Sequence, residues 1–263
     1  MIGRIYAIAL NTFREAIRRK VVYGVIGVVV ALNLFAVVLG EMSMHEQDRV
    51  ARDVGLAGVS LFGAITAIYL GVSLLYGELQ RKTIYTIISK PIERYEFVLG
   101  KYLGMAFTLT LLVALFALAL AGLLQLQSVA FTVAIVKALL LAYMQVLIIA
   151  AIAILFSSFS TPFLSGIFTF GLFLLGRCTP EMRAVVETAE QPWFRRACNV
   201  ALKVVPDLHV FSISGGSVEG QHVTVHSTFV DWGYVGTAGI YGFLYIAALL
   251  TLSIVIFSRR NFV

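Results

Sequence analysis

The residues of this chain that are best suited to chemistry are its two cysteines and three of its four histidines, which all lie between positions 177 and 229. Cys178 and Cys198 lack the close spacing of a zinc-binding pair, and His222 and His226 have no dedicated partner ligands. We therefore expect no metal site here. The two cysteines are candidates for a disulfide, which would close a loop of about 20 residues if this segment faces an oxidising compartment.

The chain also lacks the patterns that would let it catalyse or power a reaction by itself. It contains no Gly-x-x-x-x-Gly-Lys-Ser/Thr pattern, and so no usual loop for cradling nucleotide phosphates. It has no Asp or Glu at the centre of an apolar stretch, where proton- or sodium-coupled carriers usually place acids. We expect no catalytic residue, no cofactor and no enzymatic activity. Its energy must come from a partner, or the chain is passive.

Gln145 is the main strongly polar side chain near the centre of an apolar stretch. It could hydrogen-bond to a neighbouring helix, which is the commoner role of a buried amide in a membrane. It could instead contact a substrate in a translocation path. The sequence leaves both interpretations open.

The elements that position these residues must be membrane helices. Of the 263 residues 60% are hydrophobic and only 13% are charged, about half the charged share of a soluble domain. A spanning helix needs about 20 apolar residues. We predict an all-α membrane bundle, a single domain over residues 1–263, with a small outer cap over residues 177–229. Its six transmembrane helices are expected near residues 21–40, 55–77, 100–124, 134–156, 161–176 and 231–257.

The distribution of Lys and Arg predicts the orientation of the bundle. The net charge of +6 does not indicate nucleic-acid binding, because the basic residues cluster at the ends of apolar stretches. With a cytoplasmic amino terminus, 12 basic residues lie inside and 7 outside, as the positive-inside rule favours. The inner set is Arg4, Arg14, Arg18, Arg19, Lys20, Arg81, Lys82, Lys90, Arg94, Lys101, Arg259 and Arg260. The outer set is Arg49, Arg52, Arg177, Arg183, Arg195, Arg196 and Lys203.

Residues 3–20 are predicted to form an amphipathic helix. Their apolar side chains recur at helical spacing and form one stripe, opposite a face of basic and polar residues. We favour a helix that lies in the membrane plane with this stripe in the acyl boundary. The alternative is a cytoplasmic helix whose stripe packs on the protein's own core.

The link between the second and third predicted spans, residues 78–98, is longer than a connection requires. It carries a small apolar face of three isoleucines and a charged face, and Pro91 should end its first helix. A second amphipathic piece, residues 93–99, should lead into the third span. An apolar face on a cytoplasmic helix needs a partner to cover it. The apolar face is Ile84, Ile87 and Ile88, and the charged face is Glu78, Arg81 and Lys82.

This link resembles that of type 2 ATP-binding-cassette (ABC) exporter permeases. The resemblance is carried by Glu78, Arg81-Lys82-Thr83, Ser89-Lys90-Pro91, Arg94 and Leu99-Gly100-Lys101. The amino-terminal helix is similar to the elbow helix of that family. Val205-Pro206-Asp207-Leu208 is similar to its outer loop, and Phe257-Ser258-Arg259-Arg260-Asn261-Phe262 to its tail, although Asn261 stands where an acid is usual.

The resemblance implies a multi-pass permease of the cell inner membrane with both termini in the cytoplasm. Two such chains, as a homodimer, would pair with two ATPase subunits, and residues 78–98 would be the coupling helix. Glu78, Arg81, Lys82, Thr83 and Lys90 would contact the ATPase; alternatively, these charges only anchor helix ends at the headgroups.

Two other functions stay open at this stage. The chain could be a passive channel or secondary carrier, or it could transmit ATP-driven motion to an extracytoplasmic partner.

Overall fold

The computed structural model describes residues 2–18, 47–80, 93–126, 131–188, 191–212, 216–218, 221–223 and 231–259, and the single positions 24, 27, 28, 31 and 35. Most of these residues are helical. The helices are α1 (Ile2–Arg18), α2 (Gln47–Gln80), α3 (Arg94–Leu126), α4 (Val133–Phe159), α5 (Pro162–Arg177), α6 (Thr179–Thr188), α7 (Pro192–Val204) and α8 (Trp232–Arg259). A 3-10 turn, His209–Phe211, follows α7.

Two short strands form an antiparallel pair between α7 and α8. Strand β1 (Gly216–Val218) lies beside β2 (Gln221–Val223), with Gly216 opposite Val223. His222 lies in β2, and residues 224–230, which include His226, lie outside the described residues.

Four helices are long and apolar enough to cross a membrane: α2, α3, α4 and α8. Helix α5 has only 16 residues, and it passes the same test only together with α6, from which it is bent by 66°. The described part of the chain therefore supports a multi-pass membrane protein with four spans, or five if the bent pair is one. The remaining predicted span, residues 21–40, lies outside the described residues except for five single positions.

The helix boundaries follow the local sequence. Helix α4 ends at Phe159, and Pro162 occupies the first turn of α5, where a proline costs no helical hydrogen bond. The amphipathic piece expected at residues 93–99 is continuous with the third span into which it leads, because α3 runs unbroken from Arg94 to Leu126. Those residues are the first two turns of α3.

Helix α4 is the centre of the bundle and is hydrophobic on nearly every side. Its apolar window is 72% buried, compared with 28% for α8. A helix with apolar residues all round needs neighbours all round. Helix α2 approaches it most closely: a Cβ on Gly63 would lie only 2.6 Å from Val146 Cγ2, and Gly71 abuts Ala153 in the same way.

Helix α1 packs on α3 through its apolar stripe, and its position relative to the membrane stays a prediction. Ala9, Thr12 and Ala16 are fully buried. The approach is close because Gly100 and Gly104 of α3 face α1: a Cβ on Gly100 would lie 2.7 Å from Ile8 side-chain atoms. The stripe that we expected to lie in the acyl boundary is thus largely covered by protein, since two glycines leave room for a helix there.

Part of the segment expected to form an outer cap packs inside the bundle. Leu208 and Phe211 are 0% and 2% exposed. The Leu208 N–H donates to the Gly176 carbonyl at 3.0 Å, and the Phe211 ring stacks on Tyr241 of α8 at 6.1 Å between centroids. Tyr241 is nine residues into α8, which corresponds to about 14 Å along its axis. Residues 206–212 therefore pack on α5 and α8, and the outer cap over residues 177–229 stays a prediction.

Candidate functional site

The structure describes the two ends of the predicted coupling segment. Glu78 lies in the last turn of α2, and Arg94 is the first residue of α3. The residues between Gln80 and Glu93 lie outside the described part of the chain. These include most of the predicted ATPase contacts, namely Arg81, Lys82, Thr83, Ile84, Ile87, Ile88, Lys90 and Pro91.

The first turn of α3 is closed by its own acidic residue. Glu96 is 2% exposed, and its Oε2 accepts a hydrogen bond from the Glu93 N–H at 3.3 Å. This contact satisfies one of the backbone donors that a helix start leaves free, as the Glu of a capping box does. A carboxylate here also interacts favourably with the positive end of the helix dipole. The link therefore ends on a well-defined helix start.

Two ion pairs join this part of α3 to α1. Arg4 Nη1 lies 3.9 Å from Glu96 Oε2, and Lys101 Nζ lies 3.9 Å from Glu15 Oε2. Lys101 is only 2% exposed, and the face of the Phe97 ring lies 5.9 Å from its ammonium group. Because a buried charge is costly without a partner, these contacts favour one fixed position of α1 on α3.

Helix α8 reaches the same place with its carboxyl end. Arg94 Nη1 donates to the Phe257 carbonyl at 3.2 Å and also to the Ser258 carbonyl. These are among the last carbonyls of α8, which have no helical partner, and a cation is favourable there. The Phe97 and Phe257 rings stack with centroids 5.8 Å apart. We call this meeting point of α1, α3 and α8 the link junction; its residues are Arg4, Glu15, Arg94, Glu96, Phe97, Lys101, Phe257 and Ser258.

Sequence reasoning singled out Arg94 and Lys101 in the link junction but missed their surroundings. Arg94 was expected to be part of the coupling motif, and the structure shows it bonded to α8. Glu15 and Glu96 were not singled out. The sequence signal for Glu96 was available, because an acid at the third position of a helix that follows a proline-ended link is a capping pattern.

A second polar cluster connects three helices inside the bundle. Gln145 of α4 is fully buried, and its Oε1 accepts a hydrogen bond from Ser60 Oγ of α2 at 3.0 Å. Ser60 Oγ in turn accepts a hydrogen bond from Arg177 Nη1 of α5 at 2.8 Å. The structure thus gives Gln145 an interhelical contact, one of the two roles that the sequence left open.

A small pocket, open to one side and with an enclosed volume of about 20 Å³, adjoins this cluster, and we call it the Arg177 pocket. Arg177 lies 15 residues after the start of α5, and Gln145 lies 14 residues before the end of α4. Both are therefore about 21–23 Å from the turn that joins these helices, Gln145 fully buried within α4 and Arg177 half-buried at the end of α5. The pocket is lined by Leu56, Ser60, Ala138, Ala142, Arg177, Phe211 and Ser212.

The cysteines and histidines are not gathered into a site. Cys178 is exposed at the bend between α5 and α6, Cys198 is half-buried on α7, and both are free thiols. The disulfide considered from the sequence is not formed in this structure. In the part of the chain that is described, no group of three His, Cys, Asp or Glu side chains could hold a metal ion.

Comparison with known proteins agrees with the membrane architecture. The family model described as "ABC-2 family transporter protein" matches residues 6–262, nearly the whole chain. No curated protein matches the chain. The chain therefore belongs to the ABC-2 transporter family, a family of type 2 ABC permeases. It is a multi-pass membrane permease of an ABC transporter, and its family implies an ABC ATPase as partner.

Proposed function

We propose that this chain is the membrane-spanning subunit of an ATP-driven exporter, in which a separate ATPase hydrolyses ATP and moves residues 78–98. The link junction is the observation that carries the proposal. Residues 81–93, about 13 in number, join α2 to α3, compared with about four to six for most connections. At their carboxyl end three helices are joined by ion pairs and hydrogen bonds. A displacement of the link would therefore reach α1, α3 and α8 together.

The sequence of the link supplies the surface for the ATPase. Ile84, Ile87 and Ile88 form its apolar face, and covering one such side chain fully is worth roughly 1.5–3 kcal/mol. Part of that free energy is lost to the cost of association. The charged residues around the face, among them Glu78, Arg81, Lys82 and Lys90, would orient the contact and set its specificity.

The assembly that we propose is a homodimer of this chain with two ATPase subunits in the cell inner membrane. Both termini and the link face the cytoplasm, as the excess of basic residues on that side favours. Broad apolar faces remain uncovered on α5 and α8, where Phe163 and Phe243 are 76% and 69% exposed. Lipid and a second permease chain would cover them. The chain itself would not hydrolyse ATP, because its sequence has no phosphate-binding loop.

The coupling role is tested by changing the link and leaving the spans intact. Ile87→Asp puts a charge into the apolar face, and Glu78→Lys reverses a charge beside it. We expect both variants to insert normally and to lose ATPase association or coupled transport. Thr86→Asp is the matched control, since it adds the same charge on the opposite side of the expected helix and should behave as wild type. Wild-type complex formation and transport in both test variants would show that the link is only a tether.

A second candidate function is the transmission of ATP-driven motion to an extracytoplasmic partner, and the surface of α6 and α7 favours it. Val185, Trp193 and Val200 are 51%, 66% and 63% exposed on these two helices. Purification from native membranes separates the candidates. Co-purification of an ATPase in stoichiometric amount would exclude a passive channel. Co-purification of an additional outer protein, and its loss in a Trp193→Ser variant, would favour transmission of motion.

A further inference from the structure

The polar cluster at the Arg177 pocket holds more hydrogen-bond donors than acceptors. Arg177 uses one N–H toward Ser60, and a guanidinium carries five. Ser60 passes its own hydrogen to Gln145 Oε1. The Gln145 amide nitrogen is fully buried and has no hydrogen-bond partner. The contacts therefore run in one direction, from Arg177 to Ser60 to Gln145, and the side chains of the cluster carry more N–H and O–H donors than acceptor lone pairs.

No acid of the described residues forms an ion pair with Arg177. Over the described residues its hydrogen-bond partner is a hydroxyl, whereas Arg183, six residues on, pairs with Asp207 at 2.8 Å. A half-buried cation in a membrane bundle usually pairs with an anion or faces a polar path. The Arg177 guanidinium lies beside an open pocket.

The walls of the pocket add a second requirement for its ligand. Leu56, Ala138, Ala142 and Phe211 are apolar, while Ser60, Arg177 and Ser212 are polar. A small hydrated anion would leave the apolar part of the pocket without a partner. An amphipathic molecule would satisfy both parts, with an oxygen of its charged group at Arg177 and its apolar part at the open side of the pocket.

We propose that the Arg177 pocket binds an oxyanion, a phosphate or carboxylate group, carried by an amphipathic molecule. Phosphate and carboxylate oxygens match the planar fork of an arginine and supply the acceptors that the cluster lacks. Given the exporter function proposed above, on which this step rests, the pocket defines the class of substrate as an anionic amphiphile.

The test measures lipid binding by the purified full-length chain in detergent, without the ATPase. Native mass spectrometry compares phosphatidylglycerol with phosphatidylcholine of the same acyl chains. We expect the wild type to prefer the anionic lipid, and Arg177→Gln to lower that preference at least tenfold, about the effect of one charge-assisted hydrogen bond. Arg183→Gln is the matched control: it also removes one arginine charge but leaves the pocket unchanged, and it should keep the wild-type preference.

Two further variants protect the test against a folding defect. Gln145→Glu places a carboxylate two hydrogen bonds from Arg177, supplies an internal anion and should abolish the lipid preference in a folded chain. Arg177→Lys keeps the charge and should retain the preference. If inorganic phosphate displaces the lipid, a free anion is sufficient for binding at the pocket. If it does not, the acyl chains are needed for binding as well. Either result supports the site.

Three results would overturn the proposal: equal binding of both lipids by the wild type, an unchanged preference in folded Arg177→Gln and Gln145→Glu, or an equal loss in Arg183→Gln. Because no ATPase or transport is measured, these results are independent of whether residues 78–98 couple the chain to ATP hydrolysis.

Discussion

The close packing of α1 on α3 predicts a large effect of a single methyl group at Gly104. A Cβ at this position would lie 2.6 Å from the Ala9 carbonyl oxygen and 2.9 Å from Thr12 Cγ2. Nonbonded atoms prefer separations near 3.5 Å, so Gly104→Ala should push α1 outward by roughly 0.5–1 Å. A backbone oxygen cannot rotate away, and overpacking of this kind costs about 1–3 kcal/mol.

The assay is the alkylation rate of a cysteine introduced at Ala16, a fully buried residue of α1. In a background with Cys178 and Cys198 replaced by serine, labelling requires α1 to open locally. A cost of 1–3 kcal/mol should raise the rate about 5- to 150-fold when opening is a rapid equilibrium.

Gly122→Ala is the matched control for this experiment. Gly122 lies on the same helix and has nothing within 4 Å of its Cβ position. Both substitutions gain the same helix propensity, about 1 kcal/mol, so the difference between them isolates the clash. Equal labelling rates in the two variants would refute the close contact of α1 with Gly104.

Three other predictions follow from the described contacts and the topology. Single cysteines at Ser89 and Ser227 should label from opposite sides of the membrane, and labelling of both from outside would overturn the proposed orientation. Because Cys178 and Cys198 are free thiols in the structure, both should be alkylated without reductant in the denatured native protein; thiols that react only after reduction would show a disulfide. Glu96→Ala should lower the free energy of unfolding by about 1–2 kcal/mol, since it removes both the cap and the pair with Arg4, whereas Glu96→Gln should lower it less. Thermal unfolding in detergent measures this difference.

The four long spans of the fold, α2, α3, α4 and α8, could be predicted from the sequence because each contains an apolar stretch of sufficient length. The start of α5 at Pro162 could be predicted too, because a proline is favoured in the first turn of a helix. The packing of the helices was harder to predict, because an apolar stretch does not name its neighbour. Gly55, Gly63 and Gly71, at intervals of eight residues, were a signal that we did not use: each leaves its α2 backbone against a neighbouring helix.

The polar contacts could not be predicted for a different reason. Glu15 meets Lys101, and Ser60 meets Gln145 and Arg177, across separations of roughly 85 to 117 residues. Helical periodicity tells which side chains share a face, but only the packed bundle tells which faces meet. Arg177 therefore counted only as one outer basic residue, although it lies on the inner wall of a pocket.

Helix α2 connects the two polar clusters. It carries Ser60 at the Arg177 pocket and Glu78 at the start of the link, 18 residues or about 27 Å further along its axis. Gly63 and Gly71 hold α2 tightly against α4, and Ser157 of α4 donates to the Gly71 carbonyl at 3.3 Å. Such close contacts favour movement of α2 and α4 as one body. The Arg177–Ser60 hydrogen bond crosses from that body to α5. If residues 78–98 are displaced by an ATPase, the boundary between α2 and α5 must therefore change, and this boundary is where the proposed anion would bind.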